Sequence, residues 1–277
     1  MSLEVRSLRF SYGGCEVLHG IDLDVGKGIT AVLGPNGAGK SSFVKCLAGV
    51  QRPSGGTAVF DGLDLLSPRR DDGPSVAYLA QGLPEISGAS VLELMILGRV
   101  GSLALKVSDE DIDRSYGALE TLGIETLAER DFAELSGGQR QMVMIAQCLV
   151  SDPDLLILDE PMNNLDLRKE LDMFDAIGRI AGERGMTVLM VLHDVNFASR
   201  FVDSICVLKN GRVHSRGTPE EVVTEEMLRE VYGVESILSR DSFGNPRIEA
   251  VRATGDIIRD RIEEAQRWTE EGAVCPA

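Results

Sequence analysis

The stretch Gly34–Ser42, which reads GPNGAGKSS, fits the pattern G-x-x-x-x-G-K-[ST] without a mismatch. It lies between an apolar run that predicts a buried strand and a segment that predicts a helix, which is the context this motif requires. The N–H groups of such a loop enclose a β-phosphate, while Lys40 reaches the β- and γ-phosphate oxygens and Ser41 ligates Mg²⁺. The stretch therefore predicts a nucleotide-phosphate site. Its residues are Gly34, Pro35, Asn36, Gly37, Ala38, Gly39, Lys40, Ser41 and Ser42.

A second apolar run, LLILDEP at residues 155–161, ends in the adjacent carboxylates Asp159 and Glu160. Adjacent acids at the end of a strand are often only a solvated edge. In a chain that also contains a phosphate loop, we expect Asp159 in the Mg²⁺ shell. We expect Glu160 to polarise the water that attacks a γ-phosphate.

The stretch LSGGQR, residues 135–140, precedes QMVMIAQCLV, which predicts a helix. Ser136 is a good N-cap, and the two glycines keep side chains away from a helix start whose N–H groups suit an anion. The stretch thus predicts a second phosphate cradle. One nucleotide does not need two phosphate-binding turns, so we expect the second turn to hold the phosphate of a different nucleotide.

Single polar residues near predicted strand ends carry weaker signals. Tyr12 precedes a glycine turn, where an aromatic residue is either a plain edge residue or a platform for adenine. Gln81 follows a predicted strand, where glutamine is most often a surface residue, and His193 ends one, where histidine is more often structural. His19 and His214 are assigned to the structural class.

Hydrophobic periodicity predicts the elements that position these residues. Strands are predicted at 3–12, 29–34, 75–80, 154–160 and 186–194, a hairpin at 204–217, and helices at 39–47 and 167–182. Residues 90–140 have helical periods, with an N-cap at Ser108. The pattern predicts a parallel α/β core with a helical insertion, and ligands at the carboxyl ends of its strands.

Composition excludes several classes of function. The net charge of −16 over 277 residues argues against nucleic acid and against adhesion to anionic lipid. No run approaches the roughly 20 apolar residues of a membrane helix, and the N-terminus predicts no signal peptide. Five cysteines without a CxxC pair indicate a reduced, cytosolic chain without a disulfide or zinc framework.

Six of these features occur once each along the chain, in a fixed order: an aromatic residue, the phosphate loop, a glutamine, LSGGQ, the DE pair and a histidine. The order resembles that of the ATP-binding-cassette (ABC) ATPases, and the resemblance covers about residues 3–235. It implies a P-loop NTPase fold in the α/β class, an ABC ATPase core with an antiparallel β subdomain and an inserted helical subdomain. In this family two cassettes pack head to tail, so the chain is expected to be a homodimer that binds ATP and Mg²⁺.

The resemblance also implies roles for single residues. Tyr12 stacks on adenine, Glu160 is the base, and His193 contacts the γ-phosphate. Gln81 contacts Mg²⁺ or the attacking water, relays its state to the helical insertion, and is counted with Glu160 and His193 among the catalytic residues. The expected metal ligands are Ser41, Gln81 and Asp159. The residues expected to act on ATP of the partner subunit are Ser136, Gly137, Gly138, Gln139 and Asp166. Met162–Asn163–Asn164 departs from the family, which often has threonine or serine and another small or polar residue there.

Longer stretches of the sequence resemble one class of importer. LSGGQRQMVMIAQCLVSDPDLLILDEPMNNLDL resembles the cassettes that serve permeases for iron–siderophore complexes, haem and cobalamin, with iron chelates placed ahead of cobalamin. SVLELMILGR, residues 90–99, matches the region where that class meets its permease. Expected partners are integral membrane permease subunits and, indirectly, an extracytoplasmic binding protein, with the chain peripheral on the cytoplasmic face of the membrane.

The predicted organisation is an ABC ATPase domain at 1–240, with its helical insertion at about 82–140, and a C-terminal extension at 241–277. Ile258, Ile262, Ala265 and Trp268 share one face of a predicted amphipathic helix in that extension. It packs on its own domain or forms a dimer or partner contact.

Two other functions stay open on the sequence. One is a soluble ABC ATPase that assembles iron–sulfur clusters with soluble partners. The other is a P-loop kinase or another phosphotransferase, in which LSGGQ has no function.

Overall fold

The structure is a computed structural model that describes residues 2–67, 74–99 and 107–254. The predicted C-terminal helix with Trp268 lies outside the described residues. The strands are β1 (Leu3–Tyr12), β2 (Cys15–Val25), β3 (Gly28–Leu33), β4 (Gly55–Phe60), β5 (Leu63–Asp64), β6 (Val76–Leu79), β7 (Leu155–Asp159), β8 (Thr187–Val191), β9 (Ser204–Lys209), β10 (Arg212–Gly217), β11 (Val234–Arg240) and β12 (Pro246–Ala253). The helices are α1 (Lys40–Leu47), α2 (Val91–Arg99), α3 (Asp109–Thr121), α4 (Gly137–Leu149), α5 (Leu167–Arg184), α6 (Val195–Phe201), α7 (Pro219–Val222) and α8 (Glu225–Met227).

The chain divides into two compact units, named here for their positions in the sequence. The central unit comprises the described residues within 26–28 and 69–190. The flanking unit comprises those within 2–25, 29–68 and 191–254.

The flanking unit contains an antiparallel sheet in the order β2-β1-β4-β5 and a set of strands in the order β10-β9-β3. In β1, buried and exposed residues largely alternate, as expected for a strand with one face on the core. β3 is buried along nearly its whole length and pairs in parallel with β9, which fits its continuous apolar sequence. The predicted hairpin at 204–217 is confirmed, with its turn at Asn210 (φ 48°) and Gly211 (φ 66°).

The central unit contains strands in the order β8-β7-β6, of which β6 and β7 are parallel. Every residue of β7 and β8 is buried. The predicted helical segment forms α2, α3 and α4, and the predicted cap of α3 is confirmed because Ser108 and Asp111 form a reciprocal capping box. The α/β fold class with an antiparallel sheet and an inserted helical segment is therefore confirmed.

After α8 and a π-helical turn at Leu228–Tyr232, the flanking unit ends in an antiparallel hairpin of β11 and β12. The sequence did not predict this hairpin, and the predicted domain boundary after residue 240 falls inside it. That division of domains stays a prediction. No helix within the described ranges is long and apolar enough to cross a membrane.

Candidate nucleotide-binding site

The loop between β3 and α1 is built on left-handed backbone. Gly34, Gly37 and Gly39 have φ values of 145°, 79° and 96°, which residues with a Cβ rarely adopt. Backbone that alternates between left-handed and right-handed residues turns successive N–H groups toward one point and forms a concave site for an anion. The backbone conformation of the loop therefore requires the glycines of the motif.

The ammonium group of Lys40 lies inside this loop. Its Nζ donates to the carbonyl oxygens of Gly34, at 2.9 Å, and of Pro35, at 3.0 Å. Lys40 is only 5% exposed. A buried cation is stable only with hydrogen-bond partners, and these carbonyls supply them. The arrangement keeps a positive charge at the place where phosphate oxygens would arrive.

Two elements pack against the loop within the flanking unit. Gly211, in the β9–β10 turn, donates its N–H to Ala38 at 3.1 Å, and a Cβ on Gly34 would overlap the carbonyl oxygen of Leu208. Burial raises the pKa of Tyr232, which lies beside the Gly34 backbone, to about 12. Tyr232 was not singled out from the sequence.

Tyr12 and His193 also belong to the flanking unit. The Tyr12 ring stands edge-on to Phe10, with centroids 4.6 Å apart, and Gln51 donates a hydrogen bond to its hydroxyl. Leu192 donates its N–H to Val32 of β3 at 3.2 Å, so exposed His193 follows directly at the carboxyl end of β3, where the phosphate loop begins. The roles predicted for both residues stay predictions.

In the central unit, the DE pair separates into a buried and a solvent-facing carboxylate. Asp159 ends β7 and is 1% exposed. Glu160 has a φ of 55°, which directs it out of the strand, and its Oε2 accepts hydrogen bonds from Gln81 Nε2 at 2.8 Å and Asn163 Nδ2 at 2.9 Å. The structure therefore brings together Gln81 and Glu160, which the sequence had singled out separately.

The LSGGQ stretch begins α4 with a capping box. Ser136 Oγ accepts from Gln139 N at 3.3 Å, and Ser136 N donates to Gln139 Oε1 at 3.0 Å. The hydroxyl of Ser136 acts as an acceptor in this cap, so its proton can be donated outward. Gly137 is exposed, whereas Gly138 is buried.

The loop that follows Glu160 packs beneath this turn in the central unit. A Cβ on Gly138 would lie 2.8 Å from the carbonyl oxygen of Asn164, which is closer than real contacts allow. Asp166 caps α5 because its carboxylate accepts a hydrogen bond from Lys169 N at 3.0 Å. This bond is the largest of the causes that lower the pKa of Asp166 below its usual value. Gly138 is thus required by packing within its own chain.

A protein-family comparison decides the family. The family model described as ABC transporter matches residues 18–163, from β2 through the loop after Glu160. The chain belongs to the ABC transporter family.

Curated relatives of this ABC ATPase cover almost its whole length. It is 35% identical to the iron(3+)-hydroxamate import ATP-binding protein FhuC of Bacillus subtilis, over 95% of this chain and 98% of that protein. It is also 35% identical to the hemin import ATP-binding protein HmuV of Rhodopseudomonas palustris strain CGA009, over 88% of this chain and 92% of that protein.

Among solved structures, this ABC ATPase is similar to a chain of an inward-facing transporter assigned to the metal-chelate type. The TM-score is 0.78 at 26% identity, over 91% of this chain and 98% of that chain. The fold class inferred from the sequence is therefore confirmed by comparison as well as by the strand order.

The predicted site residues of this ABC ATPase are divided between the two units. The phosphate loop, Tyr12 and His193 belong to the flanking unit, and Gln81, Asp159, Glu160, Asp166 and the LSGGQ turn belong to the central unit. Sequence reasoning missed Asn163 as a contact of Glu160. The sequence signal for it is an amide side chain three residues after Glu160, in the stretch Met162–Asn163–Asn164 that departs from the family.

Proposed function

We propose that this ABC ATPase energises the import of an iron chelate (a siderophore complex or haem) or cobalamin through a separate membrane permease. The names of its relatives support iron-chelate and haem cargo, since FhuC and HmuV are named for the import of iron(3+)-hydroxamate and hemin. An iron–sulfur assembly function receives no comparable support from them.

The observation that carries the proposal is the bond from Gln81 to Glu160. Gln81 lies just past β6, where the chain enters the helical segment, so one side chain connects that segment to the carboxylate proposed to act on water. A change in the helical segment that moved Gln81 would change the environment of Glu160. This is the connection that coupling of hydrolysis to a partner protein requires.

The proposed reaction follows from the roles of these residues. The glycine-rich loop and Lys40 bind the β- and γ-phosphates of ATP, and Tyr12 stacks on the adenine. Glu160 takes a proton from water as that water attacks the γ-phosphorus, and the bond to the ADP oxygen breaks. His193 contacts the γ-phosphate and stabilises the charge of the transition state.

The donor set suits Mg²⁺, which prefers hard oxygen ligands. Asp159 offers a buried carboxylate, Ser41 a hydroxyl on the first turn of α1, and Gln81 an amide oxygen. We propose that these residues hold Mg²⁺ together with ATP. The bound ion would neutralise charge that develops on the phosphate oxygens.

The LSGGQ turn is proposed to bind ATP held by the partner subunit of a head-to-tail homodimer. Ser136 Oγ and the first N–H groups of α4 would meet the γ-phosphate, and exposed Gly137 leaves room for it. Exposed Asp166 is proposed to cross the same interface. The chain then has two shared sites per dimer.

The permease contact is proposed at α2 and the residues that lead into it. Val91, Leu94 and Met95 are buried, whereas Leu97 is 65% exposed. An exposed leucine on an otherwise packed helix suits a protein contact. The chain would then lie on the cytoplasmic face of the membrane, and its permease would receive cargo from an extracytoplasmic binding protein.

The first test is a pull-down of the tagged full chain from source-organism membranes in mild detergent. Recovery of a polytopic permease is the expected result, and cargo is then assigned from ligand-stimulated ATP hydrolysis. Recovery of soluble cluster-assembly partners alone would overturn the importer.

The second test addresses the shared site. Glu160→Gln should trap an ATP-bound dimer, because ATP binds but is not hydrolysed, and light scattering with MgATP should double the molecular mass. A chain that stays monomeric under these conditions contradicts the proposed dimer.

A further inference from the structure

The turn that follows β7 carries a polar contact that the sequence pattern does not assign. Asn163 donates its backbone N–H to the carbonyl oxygen of Glu160 at 3.3 Å, which closes a turn of four residues. Its side-chain Nδ2 donates to Glu160 Oε2 at 2.9 Å. Both ends of the contact therefore lie within one short, closed segment.

The same carboxylate oxygen has a second amide donor, Gln81 Nε2, at 2.8 Å. The two donors differ in origin. Gln81 is 79 residues away in sequence and follows another strand, whereas Asn163 belongs to the turn that holds Glu160 itself. A displacement of the segment that carries Gln81 leaves the Asn163 contact in place.

Two N–H donors on one oxygen restrict the rotation of the carboxyl group. Glu160 also has a backbone φ of 55°, an uncommon value for a residue with a Cβ. A carboxylate on such backbone, within a turn, needs side-chain contacts to keep one orientation. A base must hold its orientation toward the attacking water, since small misplacement of reacting groups is costly in rate.

We propose that Asn163 is a positioning residue for the hydrolytic carboxylate, and that it orients Glu160 through Oε2 independently of Gln81. The inference rests on the proposed role of Glu160 as the base. In the wild-type chain Gln81 connects the carboxylate to the helical segment, while Asn163 fixes it to its own turn. Loss of Asn163 then lowers the rate of hydrolysis and leaves ATP affinity unchanged.

The test uses the full-length chain with MgATP and the variants Asn163→Leu, Asn163→Asp and Asn163→Ser. Leucine has about the size of asparagine but no hydrogen-bond donor. Aspartate has the shape of asparagine but places a second carboxylate beside that of Glu160. Serine retains a donor, its hydroxyl group. We expect kcat to fall between about 10- and 100-fold for Asn163→Leu, with a larger loss for aspartate. Asn163→Ser should recover part of the rate, and KM for ATP should stay within about twofold of wild type in all three.

A thermal melt of each variant separates this role from a loss of folding. If Asn163→Leu does not fold, Asn163→Asp carries the test, because its side chain has the same shape as asparagine. A merely structural role would lower the melting temperature and the active fraction without a specific fall in kcat per folded molecule.

The Glu160→Gln background distinguishes the two ways in which the inference can fail. There Asn163→Leu should cause no further loss of residual hydrolysis, because the two residues act as a unit. Equal losses in both backgrounds, or wild-type kcat in Asn163→Leu, overturn the role of Asn163 alone. Wild-type hydrolysis in Glu160→Gln itself overturns the proposed base, and the inference with it.

Discussion

Two glycine-rich turns, each followed by a helix, differ in how they use their glycines. In the phosphate loop, Gly34, Gly37 and Gly39 all have positive φ and form the concave backbone. In the LSGGQ turn, Gly137 and Gly138 are the first residues of an α-helix whose N-cap is Ser136. The phosphate loop has a backbone conformation that only glycine adopts readily. The LSGGQ turn is an ordinary start of a helix, at which two residues without side chains follow the N-cap.

Their surroundings differ in the same way. The phosphate loop encloses Lys40 and is packed against the β9–β10 turn, and a Cβ on Gly39 would lie 2.8 Å from Leu18 Cδ2. In the LSGGQ turn only Gly138 is packed, whereas a Cβ on exposed Gly137 would make an ordinary 3.4 Å contact with Asn164.

Two turns of similar composition thus serve two purposes. The phosphate loop combines left-handed backbone with the buried ammonium group of Lys40 within its own chain, which suits an anion. The LSGGQ turn presents a capped helix start at the surface, which suits a phosphate brought by another molecule.

Lys40→Ala should reduce ATP hydrolysis by about 10²- to 10³-fold, because it removes the only cation that the described structure places inside the loop. Lys45→Ala, on the last turn of the same helix, is the matched control and should stay near wild type. Steady-state hydrolysis and nucleotide binding measure the effect. A Lys40→Ala rate within tenfold of wild type would contradict the assignment of an anion site to this loop.

Gly39→Ala should destabilise the chain by about 2–4 kcal/mol, from the left-handed backbone and the overlap with Leu18 together. Gly37→Ala has the same sign of φ but open space around its Cβ, so it should cost only about 1–2 kcal/mol. Urea denaturation compares the two variants. Equal losses would show that packing does not matter in this loop.

Gly138→Ala should lower stability by about 1–3 kcal/mol, since the clash involves backbone that cannot yield easily. Gly137→Ala should leave stability equal or slightly higher, because alanine favours helix. It should nevertheless weaken dimerisation with MgATP, since the new methyl group faces the proposed trans phosphate. Thermal melting and light scattering separate these outcomes, and unimpaired dimerisation in Gly137→Ala would argue against that site.

The smallest effect concerns pH beside the phosphate loop. Burial raises the pKa of Tyr232 from 10.0 to about 12, so the folded state retains a proton that the unfolded state releases. Stability from this group is complete below pH 10 and is lost as pH rises toward 12. Urea midpoints at alkaline pH should therefore fall more steeply for wild type than for Tyr232→Phe. Parallel curves would mean that the phenol is not buried.

Local patterns predicted much of the fold because they depend on neighbouring residues. Ser108 and Asp111 form the expected cap, Asn210–Gly211 forms the expected turn, and the helix predicted at 167–182 is α5, Leu167–Arg184. The β11–β12 hairpin escaped prediction, since its strands mix exposed apolar and charged residues without clear alternation.

The sequence by itself predicted the phosphate loop and the DE pair, because glycine spacing and a strand ending in acids are local properties. Only the tertiary structure decided that Gln81 and Asn163 converge on one oxygen of Glu160, and that Asn164 makes Gly138 obligatory. Convergence of this kind depends on where a neighbouring strand ends and how a turn closes. Side-chain distances of that sort follow from packing in three dimensions, which no local pattern encodes.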